Sequence, residues 1–303
     1  MTVSLGQTVQ AAQAQGLPLV ALESALITHG FAYPANRVIT RRMADAILKG
    51  GALPAVIGMW QGRPLVGLND EQIEALAADD AAVKVSVRDL AWAGLQRAHG
   101  GTTVAATALL AHQARIGVFA TGGIGGVHRG HPEDVSADLP VLASTPIVVV
   151  CAGAKSILDL PRTLEYLETW GVPVVGWQTD EFPAFYSRSS GLPVDVRVDT
   201  PEEVVHIFRN QRSLGLPQAL LVAVPVPAED EVPPAVVEPL VEQAIAEATA
   251  TGIVGKALTP FILDRMVTLS QHRTRRANES LLVQNASVAA QIARSMGDGP
   301  RIV

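Results

Sequence analysis

Charged and hydroxyl side chains follow several apolar runs of this sequence, at the points where the runs end. Such runs end in VALES (20–24), AVKVS (82–86), VFATGG (118–123), VVVCAGAK (148–155) and GWQTDE (176–181). In an open parallel sheet, ligands bind beyond the carboxyl ends of the strands. We therefore expect one site formed by residues after these runs: Glu23 and Ser24, Lys84 to Ser86, Thr121 to His128, Lys155, and Thr179 to Glu181.

Lys155 ends the apolar run and follows only small residues, which leave room for a ligand against the backbone. A lysine here can also simply reach solvent or pair with Asp159, one helical turn further on. An ammonium beside an apolar strand end is partly desolvated, which favours the neutral amine that a nucleophile needs. A second lysine near the same site, Lys84, acts in the same direction. We favour the nucleophile interpretation.

Glu23 is the first charged residue of the chain and ends the first apolar run. It can cap the following turn or pair with an arginine. It can equally act as a general acid whose pKa is raised by apolar walls. The sequence leaves both interpretations open.

The segment TGGIGGVHRG (121–130) directly follows a predicted strand. It does not match the dinucleotide fingerprint, because His128 occupies the third glycine position and no helix pattern begins there. GAKS (153–156) lacks the first glycine of a P-loop. The segment is either a flexible turn or a backbone cradle for a phosphate or sugar.

A second glycine pair begins the segment GGTTVAAT (100–107), in which an alanine-rich helix starts. Free N–H groups and hydroxyls at a helix N-terminus bind anions. Lys84, near the end of the preceding strand, can supply the counter-charge. Ordinary N-capping by Thr102 or Thr103 explains the threonines nearly as well.

Two histidines, one glutamate and two aspartates are concentrated in HRGHPEDVSADL (128–139). We expect a loop and a first helical turn, either as an acidic helix start capped by Ser136 or as a cation site. The spacing matches no zinc pattern and cysteine is absent. Carboxylate and water ligands suit Mn²⁺ or Mg²⁺ better.

Composition limits the function classes. The 303 residues are 48% hydrophobic and carry a net charge of −6, with no basic stripe of the kind that double-stranded nucleic acid needs. The single cysteine, Cys151, cannot form an intrachain disulfide, which fits a reducing compartment. No Lys or Arg precedes Arg37, and the charge-free stretch 139–154 is too short and proline-broken to span a membrane. We expect a cytoplasmic protein with no nucleic-acid or membrane partner.

Strand-like runs alternate with helical patterns along the chain, and the part from about Pro233 onward is helical. Continuous Val, Ile and Leu runs separated by helices indicate a parallel sheet covered on both faces. We predict a single three-layer α/β/α domain over residues 1–303 with a mostly parallel central sheet. The predicted strands are 17–24, 52–60, 63–68, 82–86, 116–123, 146–153, 172–178 and 219–226, and the predicted helices before Pro233 are 34–49, 69–80, 102–114, 161–171 and 201–211.

Taken in order, these segments resemble the pseudouridine-5′-phosphate glycosidases of the indigoidine synthase A-like family. The resemblance covers the chain from about Leu17 to the C-terminal helices. No single short motif carries it; the ordered set does. That set is ALES, ITHGFAYP, RDL, GGTTVAAT, FATGGIGGVHRG, SADL, the long block from VVVCAGAK (148–155) to FYSR (185–188), and GKALTPF (255–261).

The resemblance implies a homotrimeric α/β/α enzyme that cleaves or forms the carbon–carbon bond between uracil and ribose 5-phosphate, with a divalent metal that is usually manganese. It implies Lys155 as the Schiff-base nucleophile, Glu23 as the proton donor and Asp134 as the metal ligand. The remaining positions that it implies are for substrate binding: Lys84, the backbone of Val104, Ser136, Ala137, Asp138 and Asn278, with Thr121 and His128 in the same pocket-forming loop.

The chemistry explains these residue types. Ordinary glycosidases protonate a leaving oxygen or nitrogen between two carboxylates, but a carbon leaving group has no lone pair to protonate. A lysine amine bonded to the sugar can instead expel the base and leave an iminium. Two alternatives stay open: a Schiff-base lyase of the aldolase kind acting on another sugar phosphate, and a non-catalytic sugar-phosphate or nucleotide sensor in which Lys155 only binds phosphate.

Overall fold

A computed structural model describes residues 2–253, 255 and 258–297, and their strands and helices alternate as predicted. The strands are β1 (Ser4–Leu5), β2 (Leu19–Leu22), β3 (Leu53–Trp60), β4 (Arg63–Val66), β5 (Val83–Val85), β6 (Gly100–Thr102), β7 (Val118–Ala120), β8 (Val127–His128), β9 (His131–Val135), β10 (Val148–Cys151), β11 (Leu158–Asp159), β12 (Val174–Trp177), β13 (Val196–Val198) and β14 (Leu220–Ala223). The helices are α1 (Gln7–Gln15), α2 (Ala25–His29), α3 (Ala35–Lys49), α4 (Asp70–Ala77), α5 (Leu90–Leu95), α6 (Val104–Gln113), α7 (Asp138–Leu142), α8 (Leu160–Thr169), α9 (Pro201–Ser213), α10 (Pro234–Ala250), α11 (Leu258–Leu269) and α12 (Arg273–Gly297).

Within these residues, eleven strands form the central sheet in the order β1-β4-β3-β2-β7-β10-β14-β12-β13, with β6 also on β3 and β5 on β6. The pairs from β3 through β2, β7, β10, β14 and β12 to β13 are all parallel. The predicted α/β class with a mostly parallel sheet is therefore confirmed. The antiparallel pairs are β3 with β4, across a turn at Gln61 and Gly62 with positive φ, and β3 with β6.

The central strands are continuous apolar runs because helices cover the sheet. All four residues of β10 and of β14 are buried. The long α12 packs on α3, α9 and the middle strands, while α6 packs on α7 and on β2, β3 and β7. The largest hydrophobic cluster runs through all these elements, from Val9 on α1 to Ala293 on α12.

Several helices begin at the caps that the sequence indicates. Asn69 and Gln72 form a capping box at the start of α4, with the Gln72 N–H donating to Asn69 Oδ1 at 2.8 Å. Thr103 caps α6 by accepting from the Ala106 N–H at 3.4 Å. Caps of this kind satisfy backbone donors that the first helical turn cannot.

The segment 128–139 differs from the expected loop. Strands β8 and β9 form an antiparallel hairpin, and β8 also pairs with β11, so three short strands build a second sheet. The cap of α7 is Ala137 rather than Ser136, whose hydroxyl accepts from the Asp138 N–H at 3.2 Å. Four of the five β9 residues are exposed, so this strand lacks the apolar alternation that makes a strand visible in a sequence.

The N-terminal β1 and α1 were not predicted, and α2 follows β2 directly. Helix α1 has a weakly apolar face, of which only Val9 and Ala12 are buried. In the part of the chain that the structure describes, we find no helix with the length and hydropathy of a membrane span.

Candidate active site

A cavity of about 410 Å³ opens beyond the carboxyl ends of β2 and β10, within the size range of small-molecule sites. Of the site residues that the family resemblance implies, all except Thr121 line it: Glu23, Lys84, Val104, His128, Asp134, Ser136, Ala137, Asp138, Lys155 and Asn278. The expectation from strand position was wrong for Ser24 and for residues 179–181, which do not line the cavity. As the strand-end rule predicts, Glu23 after β2 and Lys155 after β10 meet at one cavity, and Asn278 on α12 lines it with them.

Lys155 follows β10 on a tightly held segment. Residues 152–154 are fully buried, the Lys155 N–H donates to the Ile124 carbonyl at 3.1 Å, and the Lys155 carbonyl accepts from the Leu158 N–H at 3.0 Å. Residues 155–157 are not helical, so Asp159 does not lie one helical turn from Lys155. Asp159 instead caps α8 through the Arg162 N–H at 3.1 Å and lies 3.3 Å from the Arg162 guanidinium. The lysine side chain lines the cavity, and its backbone is held by these hydrogen bonds.

Glu23 lies immediately after β2, with its carboxyl at the wall of the cavity. Burial raises the pKa of this carboxyl above its ordinary value, and the charge of Asp138 adds to the rise. The charge of Lys155, the hydroxyl of Thr121 and the charge of Lys84 oppose it. A carboxyl whose pKa burial raises, in a cavity that a lysine also lines, favours the general-acid interpretation over a cap or an arginine pair.

Thr121 does not line the cavity, which differs from the substrate contact that the resemblance implied. Its side chain is 1% exposed, and its hydroxyl donates a hydrogen bond to Oε1 of Glu23. Thr121 therefore contacts the predicted proton donor from the protein interior and not from the cavity.

Asn285 supports this arrangement and was missed in the sequence. It is fully buried on α12, and its Nδ2 donates to the Thr121 carbonyl at 2.8 Å and to the Gly122 carbonyl at 3.3 Å. Asn285 lies seven residues, about two helical turns, after Asn278. Two asparagines on one face of an apolar helix are the signal that could have found it.

Asp138 is buried, and both of its carboxylate oxygens accept backbone N–H groups. Oδ1 accepts from Ala105 in the first turn of α6 at 2.9 Å, and Oδ2 accepts from Gly125 at 2.7 Å. A side chain at Gly125 would collide with Ser136 and Asp138. The glycine-rich segment is thus a packed wall of the cavity rather than a flexible turn.

Lys84 lies in the middle of β5 rather than after it, paired in register with Gly101 of β6. The same strand pair places Thr103 and Val104, where α6 begins, at the cavity. Thr103 and Asp138 accept the N–H groups of Ala106 and Ala105, respectively. The helix start is therefore capped, and these two N–H groups are not free for an anion. Lys84 lines the same cavity as Val104.

The predicted metal position is a single, half-exposed carboxylate. Nδ1 of His128 lies 3.1 Å from the Asp134 carbonyl oxygen and 3.3 Å from Asp134 Oδ2. Among the described residues no group of three or more His, Cys, Asp or Glu side chains could hold a metal ion. This donor set does not fit zinc, but one carboxylate completed by water fits a hard cation such as Mn²⁺ or Mg²⁺.

Two residues of the motif GKALTPF, Lys256 and Ala257, lie outside the described residues. Gly255, Thr259 and Pro260 of this motif line the cavity.

Comparison with known proteins gives matches over nearly the whole chain. Proteins named pseudouridine-5′-phosphate glycosidase are 51% identical in Methylobacterium nodulans, over 94% of this chain and 85% of the relative. They are 49% identical in Paracoccus denitrificans, over 97% and 98%. They are 47% identical in Caldanaerobacter subterraneus subsp. tengcongensis, over 96% and 95%.

Two solved structures have the same fold. An indigoidine synthase A-like protein from Thermotoga maritima superimposes with a TM-score of 0.90 at 35% identity, over 98% of this chain and 97% of that one. The prealnumycin C-glycosynthase AlnA, solved with ribulose 5-phosphate, also gives 0.90, at 36% identity and the same coverage. Residues 8–295 match the family described as indigoidine synthase A like protein. The chain therefore belongs to the indigoidine synthase A-like family.

Proposed function

We propose that this protein is a C-glycosidase that reversibly cleaves the carbon–carbon bond of pseudouridine 5′-phosphate to give uracil and ribose 5-phosphate. The observation that carries the proposal is one cavity lined by both Lys155 and Glu23, close enough for the lysine charge to act on the carboxyl. The names of relatives with 47–51% identity support the same substrate.

In the first step the Lys155 amine bonds to C1′ of the ribose, the C1′–O4′ bond breaks, and the ring oxygen takes the proton that the nitrogen loses as the sugar opens. The nucleophile must be the neutral amine. The short, buried segment before Lys155 fixes where the amine can reach, which reduces the entropy lost on reaction.

In the second step Glu23 gives its proton to the uracil ring carbon that is bonded to C1′. The C1′–carbon bond breaks, its electrons restore the uracil double bond, and the lysine nitrogen lone pair forms the C1′=N iminium. Burial raises the pKa of this carboxyl, which favours the protonated form that a general acid needs. Water then adds to the iminium and releases ribose 5-phosphate, which regenerates the amine.

The phosphate is the binding handle. We place it near Lys84 and the start of α6 at Val104, where a cation and a helix N-terminus meet at the cavity. Ser136, Ala137, His128 and Asn278 complete the proposed substrate contacts. Asp134 would hold a divalent cation, proposed to be Mn²⁺, which would balance the charge of the bound sugar phosphate.

The proposal includes a homotrimer, which the family resemblance implies, and a cytoplasmic location, which is a prediction from the sequence. The buried, free thiol of Cys151 is compatible with a reducing compartment.

Uracil release by the purified protein from pseudouridine 5′-phosphate, followed by chromatography, tests the proposal. We expect turnover by the unaltered protein and none by Lys155→Ala, which should still bind ribose 5-phosphate. Binding without uracil release by the unaltered protein would instead identify a sugar-phosphate sensor. An adduct with ribose 5-phosphate but no uracil release would identify a lyase that acts on another sugar phosphate.

A further inference from the structure

Arg129 connects the hairpin of β8 and β9 to the turn that begins at Lys155. Its Nε donates to the Leu158 carbonyl at 3.0 Å, and its Nη2 donates to the Ser156 carbonyl at 2.7 Å. Both carbonyls belong to the three residues that follow the lysine. The Arg129 side chain is 28% exposed, so protein covers most of it.

The other side of the same guanidinium pairs with Glu238 on α10. Nη1 lies 2.6 Å from Oε2 of Glu238, and Nη2 lies 3.2 Å from Oε1. This is a two-point pair, for which the planar guanidinium is suited and an ammonium is not. One side chain therefore holds two carbonyls and one carboxylate at once.

Backbone pairing also joins this segment to the hairpin, because β11 pairs with β8 at Leu158 with His128 and at Asp159 with Val127. The Lys155 N–H donates to the Ile124 carbonyl, which precedes the hairpin. Arg129 also joins the turn to α10, the helix that precedes cavity residues Gly255 and Thr259. Loss of the guanidinium removes one hydrogen bond from each of two of the three carbonyls that follow Lys155, those of Ser156 and Leu158.

We propose that Arg129 is a positioning residue that fixes the backbone direction from which the Lys155 amine reaches C1′ of the sugar. The inference rests on the proposed function. Arg129 does not line the cavity, so it acts through the lysine turn and not on the substrate. A displacement of about 1 Å of a reacting group can cost about 100-fold in rate.

Borohydride reduction of the protein with ribose 5-phosphate, quantified as adduct mass per minute, measures how often the amine meets the sugar carbonyl. One variant is Arg129→Lys, which keeps a positive charge for Glu238 but loses the planar guanidinium that makes several hydrogen bonds at once. The other is Arg129→Ala, which removes both. The matched control is Arg162→Ala, which removes an exposed arginine that pairs with Asp159 in the adjoining segment. Thermal unfolding of each variant reports folding.

We expect the trapping rate at saturating ribose 5-phosphate to fall about 10- to 100-fold in both Arg129 variants, with the half-saturating concentration changed less than about threefold. Arg162→Ala should trap at the rate of the unaltered protein. If Arg129→Ala does not fold, Arg129→Lys decides.

Normal trapping by the folded Arg129 variants overturns the inference alone. So does a raised half-saturating concentration with an unchanged maximal rate, because it would assign Arg129 to ligand binding. Absence of both adduct and uracil release in the unaltered protein overturns the proposed function, and this inference with it.

Discussion

The hydroxyl of Thr121 donates a hydrogen bond to Oε1 of Glu23, at the wall of the cavity that Lys155 also lines. The bond holds one carboxyl oxygen against the protein interior. It also stabilises the ionised carboxylate, and so lowers a pKa that burial raises. Thr121 therefore orients the carboxyl of the proposed proton donor and lowers its pKa.

Replacing this hydroxyl should change the pH dependence of the reaction. Thr121→Val keeps the shape of the side chain and removes the donor, so the pKa of Glu23 rises further. Because the proton donor must be protonated, the basic limb of the kcat/KM profile should move to higher pH, with a loss of about tenfold in kcat from the freed carboxyl. Thr121→Ser, which keeps the hydroxyl, is the control. A basic limb at the same pH in both variants would contradict the role given to Thr121.

Glu23→Gln should remove activity and stabilise the fold. A carboxyl with a raised pKa favours folding below the ordinary glutamate pKa of about 4.3 and loses that contribution as pH rises through the raised value. The amide has no such loss. The variant should therefore melt above the unaltered protein at pH 8 and together with it near pH 4, while turnover falls about 10²- to 10⁴-fold.

The control for that experiment is Glu181→Gln. Glu181 is a carboxyl whose pKa is lowered by the hydroxyl of Ser189 and the Gly191 N–H. Its replacement should give no stabilisation at pH 8. Equal melting of Glu23→Gln and the unaltered protein at pH 8 would show that folding does not raise the pKa of Glu23.

Asp138 is expected to stabilise the folded protein as well as to form part of the cavity wall. Asp138→Asn leaves an amide group facing an N–H donor, either of Ala105 or of Gly125. We expect a loss of about 1–3 kcal/mol in the free energy of unfolding, measured with urea. Asp45→Asn breaks an exposed pair with Arg41 and should stay within about 0.5 kcal/mol. A loss for Asp138→Asn no larger than for Asp45→Asn would show that Asp138 does not hold α6 to the glycine-rich wall.

Metal dependence tests the assignment of Asp134. A chelator should slow uracil release, and Mn²⁺ should restore it. Asp134→Asn should need at least about tenfold more Mn²⁺ for half-maximal rate. Glu133→Gln, which changes the neighbouring exposed carboxyl beside His131, should behave as the unaltered protein. Full activity in the presence of chelator would show that the reaction needs no divalent metal.

The central sheet and the convergence at the cavity were predictable from the sequence because both follow from continuous apolar runs. Buried strands such as β10 and β14 need apolar side chains on both faces, and their carboxyl ends meet at one edge. Because Glu23 and Lys155 each follow a buried strand, β2 and β10, their positions in the sequence were enough to predict that they lie at one site.

The remaining features depend on contacts that have no local pattern. Strand β9 is exposed and polar, so nothing in HPEDV marks it as a strand. Thr121 follows a strand directly, and which way its side chain points is set by packing against Glu23 and α12. Arg129 reaches a carboxylate 109 residues away, at Glu238, a pairing that spacing does not reveal.

Borohydride reduction during turnover of pseudouridine 5′-phosphate, followed by peptide mass analysis, tests the central claim most directly. The account predicts one reduced ribose-phosphate adduct, located on Lys155, and none in Lys155→Arg. Uracil release without any adduct, or an adduct on a different lysine, would contradict it.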